Sequence, residues 1–305
     1  MASPSSYDMI NTVLERVGVS MKRTILVVLL IVGLSAGLVA QSGSAAVKLT
    51  GALGPGSVDL KAEGSYQMKI PMLQGGGPLF EGNNLKVKVA LGVSPIAVQG
   101  IVDAVLTPIA LAEVNLEVAV GSGWDFPLLK MSGLIKAPAE GAAMVDETFK
   151  GVYVKPKAGV ALQFDTGAIF ASKWASVVLR AYQELNFTYY SNAEEDEPWE
   201  FELSGELYNS FNYKGEYIVG YKLPLEWVNL VGVQVEHYIY DAFNRKNGGL
   251  IDASILVNSP FPIVDSLSLL MAIQFTNYKA QPDVRNRVVD QLRFKRVALI
   301  ATYSI

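Results

Sequence analysis

Cysteine is missing from the 305 residues, and histidine occurs once. The first absence excludes disulfides, thiolate metal sites, a cysteine nucleophile and a lipid-modified N-terminal cysteine. The second excludes centres built from several imidazoles. Charge is scarce too, at 18% of residues against a usual ~25%. A net charge of −4 gives no basic footprint for nucleic acid. After Ala46 no apolar stretch is long enough for a transmembrane helix. Yet half of the residues are apolar, which excludes a disordered chain and leaves the question of how that apolar character is distributed.

Part of it is an export signal. Met21-Lys22-Arg23 precedes an uncharged apolar run from Ile25 to Val39, and small residues follow up to Ser44-Ala45-Ala46. A positive region, an apolar region and a small-residue cleavage zone stand in the order of a secretory signal peptide. The run of about 15 residues is shorter than the roughly 20 of a membrane span. The reading is a signal over 21–46, cleaved near Ala46. Residues 1–20 carry Asp8, Glu15 and Arg16 ahead of the positive region, so they are read as an upstream extension, with translation starting at Met21.

The rest alternates. In residues 57–70, Val58, Leu60, Ala62, Tyr66, Met68 and Ile70 share one face, and Asp59, Lys61, Glu63, Gln67 and Lys69 the other. Leu85, Val87, Val89, Leu91 and Val93 oppose Lys86 and Lys88; Val114, Leu116, Val118 and Val120 oppose Glu113 and Glu117. Val154, Val160, Leu162 and Phe164 oppose Lys155, Lys157 and Asp165, and Leu179, Leu185 and Phe187 oppose Arg180 and Glu184. Trp199, Phe201 and Leu207 oppose Glu200, Glu202 and Glu206. Period two argues for strands with one apolar and one polar face. Turn residues separate them, as at Gly75–Pro78, Asn83-Asn84, Ser122-Gly123, Asn247–Gly249 and Ser259–Pro262. No composition shift divides the region 47–305 into two domains.

Strands of about 10–15 residues exceed the globular norm of ~5–6 and suit tilted membrane-crossing strands. Length, export signal and aromatics near strand ends (Tyr189, Tyr190, Trp199, Tyr238, Tyr240) favour an all-β, antiparallel transmembrane β-barrel with its apolar face to lipid. A soluble exported barrel binding a lipid is the alternative. The pattern resembles bacterial outer-membrane β-barrel proteins over nearly all of 47–305. In that class the last strand normally ends in an aromatic read by the assembly machinery; this chain departs from it, with Ile305 last and Tyr303 two before. The resemblance implies an outer-membrane location, contact with membrane lipids and assembly by that machinery.

The spacing predicts about 12 strands (between about 10 and 14): 57–70, 84–94, 109–121, 128–136, 151–165, 176–190, 198–211, 214–223, 227–240, 249–258, 265–277 and 291–305. An even count puts both termini in the periplasm, with loops 71–83, 241–248 and 278–290 outside and links 223–226 and 259–264 inside. Residues 95–108 read as a short periplasmic helix. Parity puts Lys295 on the lipid side, where it must snorkel to the interface.

Chemistry-bearing motifs are few. His237 lies in phase with Val231, Val233, Val235 and Ile239, so it reads as a lipid-face residue, not a hydrolase base. Glu194–Glu197 lacks calcium-loop spacing, and Gly75–Gly77 lacks the Lys and Ser/Thr of a phosphate loop. No cofactor or metal is expected, and no enzyme activity. The informative set is the polar face: Lys86, Lys88, Glu113, Glu117, Lys155, Lys157, Asp165, Arg180, Glu184, Glu200, Glu202 and Glu206 are candidate lumen-lining residues. The strands of Lys86/Lys88 and Glu113/Glu117 are expected to be neighbours. These readings point to a narrow channel or transporter for small solutes or apolar compounds, or else to a non-channel surface barrel serving as adhesin or structural element.

Overall fold

The computed structural model describes residues 43–55, 57–127, 131–137, 142–170, 172, 174, 176–194, 196–202, 204–205, 207–244, 247–279 and 287–305. The upstream extension and nearly all of the signal lie outside these residues. Among the described residues no helix is long and apolar enough to cross a membrane.

Among the described residues seventeen strands follow in chain order: β1 (Gly43–Gly54), β2 (Ser57–Pro71), β3 (Asn84–Val93), β4 (Ala97–Ile109), β5 (Ala112–Gly123), β6 (Asp125–Phe126), β7 (Met131–Ser132), β8 (Leu134–Lys136), β9 (Val145–Asp146), β10 (Tyr153–Asp165), β11 (Val177–Tyr190), β12 (Trp199–Phe201), β13 (Ser210–Lys222), β14 (Leu230–Tyr240), β15 (Asn247–Ser259), β16 (Leu267–Lys279) and β17 (Arg287–Ser304). Twelve of them close an antiparallel barrel in the order β1-β17-β16-β15-β14-β13-β11-β10-β5-β4-β3-β2. β1 and β17 join its ends, from Ala46 opposite Ser304 to Leu53 opposite Val297. Closure leaves no strand edge unpaired, the condition for a sheet to sit in hydrocarbon.

The alternation is resolved by solvent. Leu60, Leu116 and Leu162 are 60%, 58% and 61% exposed on the outer wall, while Glu184 and Ser254 inside are 4% and 2% exposed. Burying a leucine is worth ~1.5–3 kcal/mol. A wall of exposed leucines and valines all round the barrel therefore requires lipid as its solvent. His237 lies on this outer face, with its ring against that of Tyr213 at 6.1 Å.

Several expectations are corrected. Residues 95–108 are not a helix: β4 occupies 97–109 and turns at Ala110-Leu111 into β5. Its inward face carries Ala97, Ile101 and Val105 among Gln99, Asp103 and Thr107, and its outward face includes Gly100 and Ala104, so the contrast between the two faces is weak. β1 was hidden among the small residues of the cleavage zone; Gly43–Ala46 are its first residues. The expected strands 128–136 and 198–211 are not wall strands. They break into β7, β8 and β12, which lie in two small sheets outside the barrel order, and the wall resumes only at Ser210. Two misses and two false strands cancel, so the count of twelve stands.

The start of β1 lies beside the C-terminus, Ala45 N–H donating to the Ile305 carbonyl at 3.3 Å. This end is called proximal. Because β1 precedes β2, the loop 72–83 is proximal, with the start of β1 and the C-terminus, and not on the opposite side as expected. The ends of the expected loop 278–290 belong to β16 and β17. The two long connections, 124–152 and 191–209, leave from the distal end.

Lys295 does not face lipid. The register of β16 on β17 slips between Gln274 and Phe275, from Arg296 to Phe294, so Lys295 is the extra residue of a β-bulge. The bulge turns Lys295 inward, where Nζ pairs with Asp252 Oδ2 at 2.5 Å. Among the aromatics expected at a lipid girdle, only Tyr189 is on the exposed wall; Tyr190 and Trp199 are fully buried inside.

Candidate functional site: a plugged, ion-paired lumen

The distal connections fold back into the barrel. β8 and β9 from the first connection and β12 from the second form a sheet in the order β12-β8-β9. Leu134, Trp199, Phe201 and Leu207 of this unit pack against Ala97, Ala119, Tyr153 and Tyr190 of the wall, with Ile101 and Tyr240 at the edge. The wall is small where the plug is large, at Ala97 and Ala119. Tyr153 stacks on Phe201 at 4.4 Å and meets Trp199 edge-on at 5.8 Å. Trp199 Nε1 donates to Asn209 Oδ1 at 3.1 Å, so its burial leaves no donor unmet. Gly133 crosses the turn after β3 so closely that a Cβ there would stand 1.8 Å from the Ile96 carbonyl oxygen. Only glycine fits that crossing.

Polar joints lock the plug. Lys61 on β2 donates to Glu202 at 2.7 Å, and Lys136 to Glu197 at 2.9 Å. Glu147 accepts from Tyr190 Oη at 2.9 Å and from Asn192. Burial pushes the Glu147 carboxyl up, but the hydrogen bonds from Asn192, Tyr190 and Lys150 outweigh it, and the net shift is down. Glu197 is lowered by the Glu194 N–H and by Lys136. A depressed carboxylate contributes stability that is present above its ordinary value near 4.5 and lost as pH falls through the folded value. Acidification below about pH 4.5 is therefore expected to loosen the joint between the two connections. A cysteine at Ala193 should then react faster with a thiol reagent, relative to an exposed control site. In Glu147→Gln the joint should be loose already at neutral pH, and an unchanged rate there would contradict the assignment.

Below the plug the lumen wall is a lattice of opposite charges. Lys157 bridges Glu117 at 3.1 Å and Glu184 at 3.6 Å. Arg180 pairs with Glu216 at 2.7 Å, and Lys214 lies 3.5 Å from Glu216 and 2.7 Å from Glu236. Lys48 pairs with Glu63 at 3.2 Å, and Arg296 with Asp59. Tyr182 Oη donates to Glu184 at 2.9 Å, and its ring covers Gly159, where a Cβ would collide with it at 2.4–2.6 Å. Val105, Glu113, Asn115, Lys157, Arg180, Tyr182, Glu184, Lys214 and Glu216 surround a cavity of about 270 Å³.

The strands of Lys86/Lys88 and Glu113/Glu117 are not neighbours, because β4 lies between them. Lys86 nonetheless reaches Glu113 at 3.4 Å across it, and Lys88 stands in register with Asp103. Lys155 stands in register with Ala119, beside the plug. Asp165 is at the proximal rim, paired with Lys222 at 2.5 Å. Glu200 and Glu202 belong to the plug and not to the wall, and Glu206 lies outside the described residues. Sequence reading passed over Lys214, Glu216 and Asp252, and left Glu236, which it sets on the polar face opposite Val235, out of the lumen set. Their signal was present as the polar phase of β13 to β15, but residues 214–223 were assigned no faces. Among the described residues no cluster of His, Asp and Glu could hold a metal.

The exposed apolar wall, the closed strand order and the charged interior make the chain an outer-membrane-type, membrane-spanning β-barrel. No protein-family model matches the sequence, and no curated protein matches it. Among solved structures it is similar to the KdgM porin at 6% identity, covering 85% of this chain and 99% of that one, with a TM-score of 0.42. It is similar to the NanC porin at 8% identity, covering 85% and 98%, also with a TM-score of 0.42. For OmpT, an outer-membrane protein of Vibrio cholerae, the identity is 6%, the coverage 87% and 98%, and the TM-score 0.36.

Proposed function

We propose that the chain is a narrow outer-membrane channel for small polar solutes, its distal end narrowed by its own plug. The observation that carries this is the cavity of about 270 Å³ lined by cations and carboxylates in alternation. Such a lining hydrates a passage without favouring one sign of ion. Polar solutes are preferred over apolar ones because the wall of the cavity is charged on most sides. The candidate lumen residues then act as lining and not as catalysts, and the chain is read as non-enzymatic. Membrane lipids on the outer wall and the assembly machinery remain the expected partners. The leader reading is kept, with the cut placed ahead of Gly43 so that β1 stays whole.

The plug favours a second reading, a surface barrel that never conducts. Proteoliposome swelling separates the two. The channel reading expects entry of urea-sized and glycerol-sized solutes and exclusion of disaccharides by the intact protein. It further expects disaccharides to enter once residues 131–150 are deleted. Impermeability of both proteins to every solute would sink the channel and leave the surface barrel.

A further inference from the structure

One cation of the lumen wall is held across two neighbouring strands. Lys61 on β2 shares the inward face with Glu63, but Glu63 is taken by Lys48 at 3.2 Å. The Lys61 arm runs instead over β3, where Gly92 leaves it room: a Cβ there would stand 2.8 Å from Lys61 Cε. The register partner of Gly92 on β4 is Gln99, and Lys61 Nζ donates to Gln99 Oε1 at 3.1 Å. The same Nζ donates to Glu202 Oε2 of the plug at 2.7 Å. The Gln99 amide N–H donors and Glu202 Oε1 have no partner among the described residues. Glu202 is carried there by the turn after β12, its N–H donating to the Gly133 carbonyl at 2.9 Å. Its φ of 49° lies in the left-handed region, which a residue with a side chain keeps where its surroundings hold it.

We propose that Lys61 and Gln99, above Gly92, form a carboxylate-binding site in the lumen wall, which the plug fills with its own Glu202. The wall supplies an ammonium and, beside it, unused amide N–H donors, which together suit the two oxygens of a carboxylate. Hydrogen bonds between an ammonium and a carboxylate are charge-assisted, roughly twice as strong as neutral ones. Everything that shapes the site belongs to β2, β3 and β4, which are consecutive in the barrel and pair without the plug. The site therefore outlasts the departure of Glu202, and a small free carboxylate takes its place. Glu202 is in this sense a ligand supplied by the chain itself, held at a strained backbone position, and a free carboxylate is its competitor. The site stands whether or not the barrel conducts.

Reductive methylation of lysines in the full chain tests this, read by peptide mass spectrometry and normalised to Lys150, whose side chain is 58% exposed. In the unmodified protein Lys61 should react slowly. Glu202→Gly removes the carboxylate and suits the left-handed backbone, so it should speed methylation of Lys61 severalfold. Propionate, the Glu202 side chain as a free ion, should then slow Lys61 again, while chloride at equal ionic strength should not. A valine at position 92 displaces the Lys61 arm from Gln99, so in Glu202→Gly combined with Gly92→Val propionate should no longer protect. Heat-dependent gel migration shows whether each barrel is folded. Glu202→Asn, also tolerated in the left-handed region, repeats the comparison should the glycine variant fail to fold. An unchanged Lys61 rate once the carboxylate is gone, equal protection by chloride, equal slowing of Lys150, or protection that survives Gly92→Val would each overturn the proposal.

Discussion

Truncating Trp199 to alanine should raise single-channel conductance severalfold while the barrel itself stays folded. Trp199 is fully buried and contacts Tyr153 and Tyr190 of the wall at 5.8 Å each. Removing a large buried aromatic costs ~3–5 kcal/mol through lost transfer and the cavity left behind. That cost falls on plug docking and not on the wall, because the wall's hydrogen bonds close on themselves without β12. A plug held by a few kcal/mol would then spend much of its time undocked. Planar-bilayer recordings of the two proteins test this, with heat-dependent gel migration as the check on folding. Equal conductance would mean that the plug does not govern the path.

Lys214→Met should shift the channel toward cations. Lys214 stands between Glu216 and Glu236, and its removal takes one positive charge from a lattice of paired ones. Breaking a fully buried pair costs ~3–5 kcal/mol. The Lys214 side chain is 23% exposed and the lumen is wet, so the stability loss should fall below that range. The larger effect is electrostatic: the reversal potential under a salt gradient should move toward the cation value, and Lys214→Arg should restore it. An unmoved reversal potential would show that ions do not pass this lattice.

How much could be read in advance follows the physics of each segment. Strands β2, β3, β5, β10 and β11 were legible because each meets two solvents, lipid outside and charged lumen inside, and period two records that contrast. β4 was illegible because part of its inner face, at Ala97 and Ile101, meets the plug, a third environment that is apolar, while Gly100 and Ala104 thin out its outer face. The plug strands were misread for the mirror reason. Trp199, Phe201 and Leu207 alternate with Glu200 and Glu202 as a wall strand would, yet their apolar side faces a protein core. The lumen charges were legible as a face but not as pairs, since pairing depends on strand order, and one missed strand separates Lys86 from the neighbour expected of it. Lys295 escaped because a single bulged residue reverses the phase of everything after it, and nothing in Phe294-Lys295-Arg296 marks the bulge.

The central claim is that one chain presents lipid outside and water inside, residue by residue. Spin labels on single cysteines from Val58 to Ile70, in protein reconstituted in liposomes, test it most directly, since the native chain has no thiol to interfere. Gln67 faces the lumen and Met68, 42% exposed, faces the outer wall. The account predicts that the label at Gln67 collides with an aqueous nickel chelate and the label at Met68 with oxygen dissolved in lipid, alternating with period two along the strand. Uniform access of the chelate to both faces would contradict it and return the chain to the soluble exported reading.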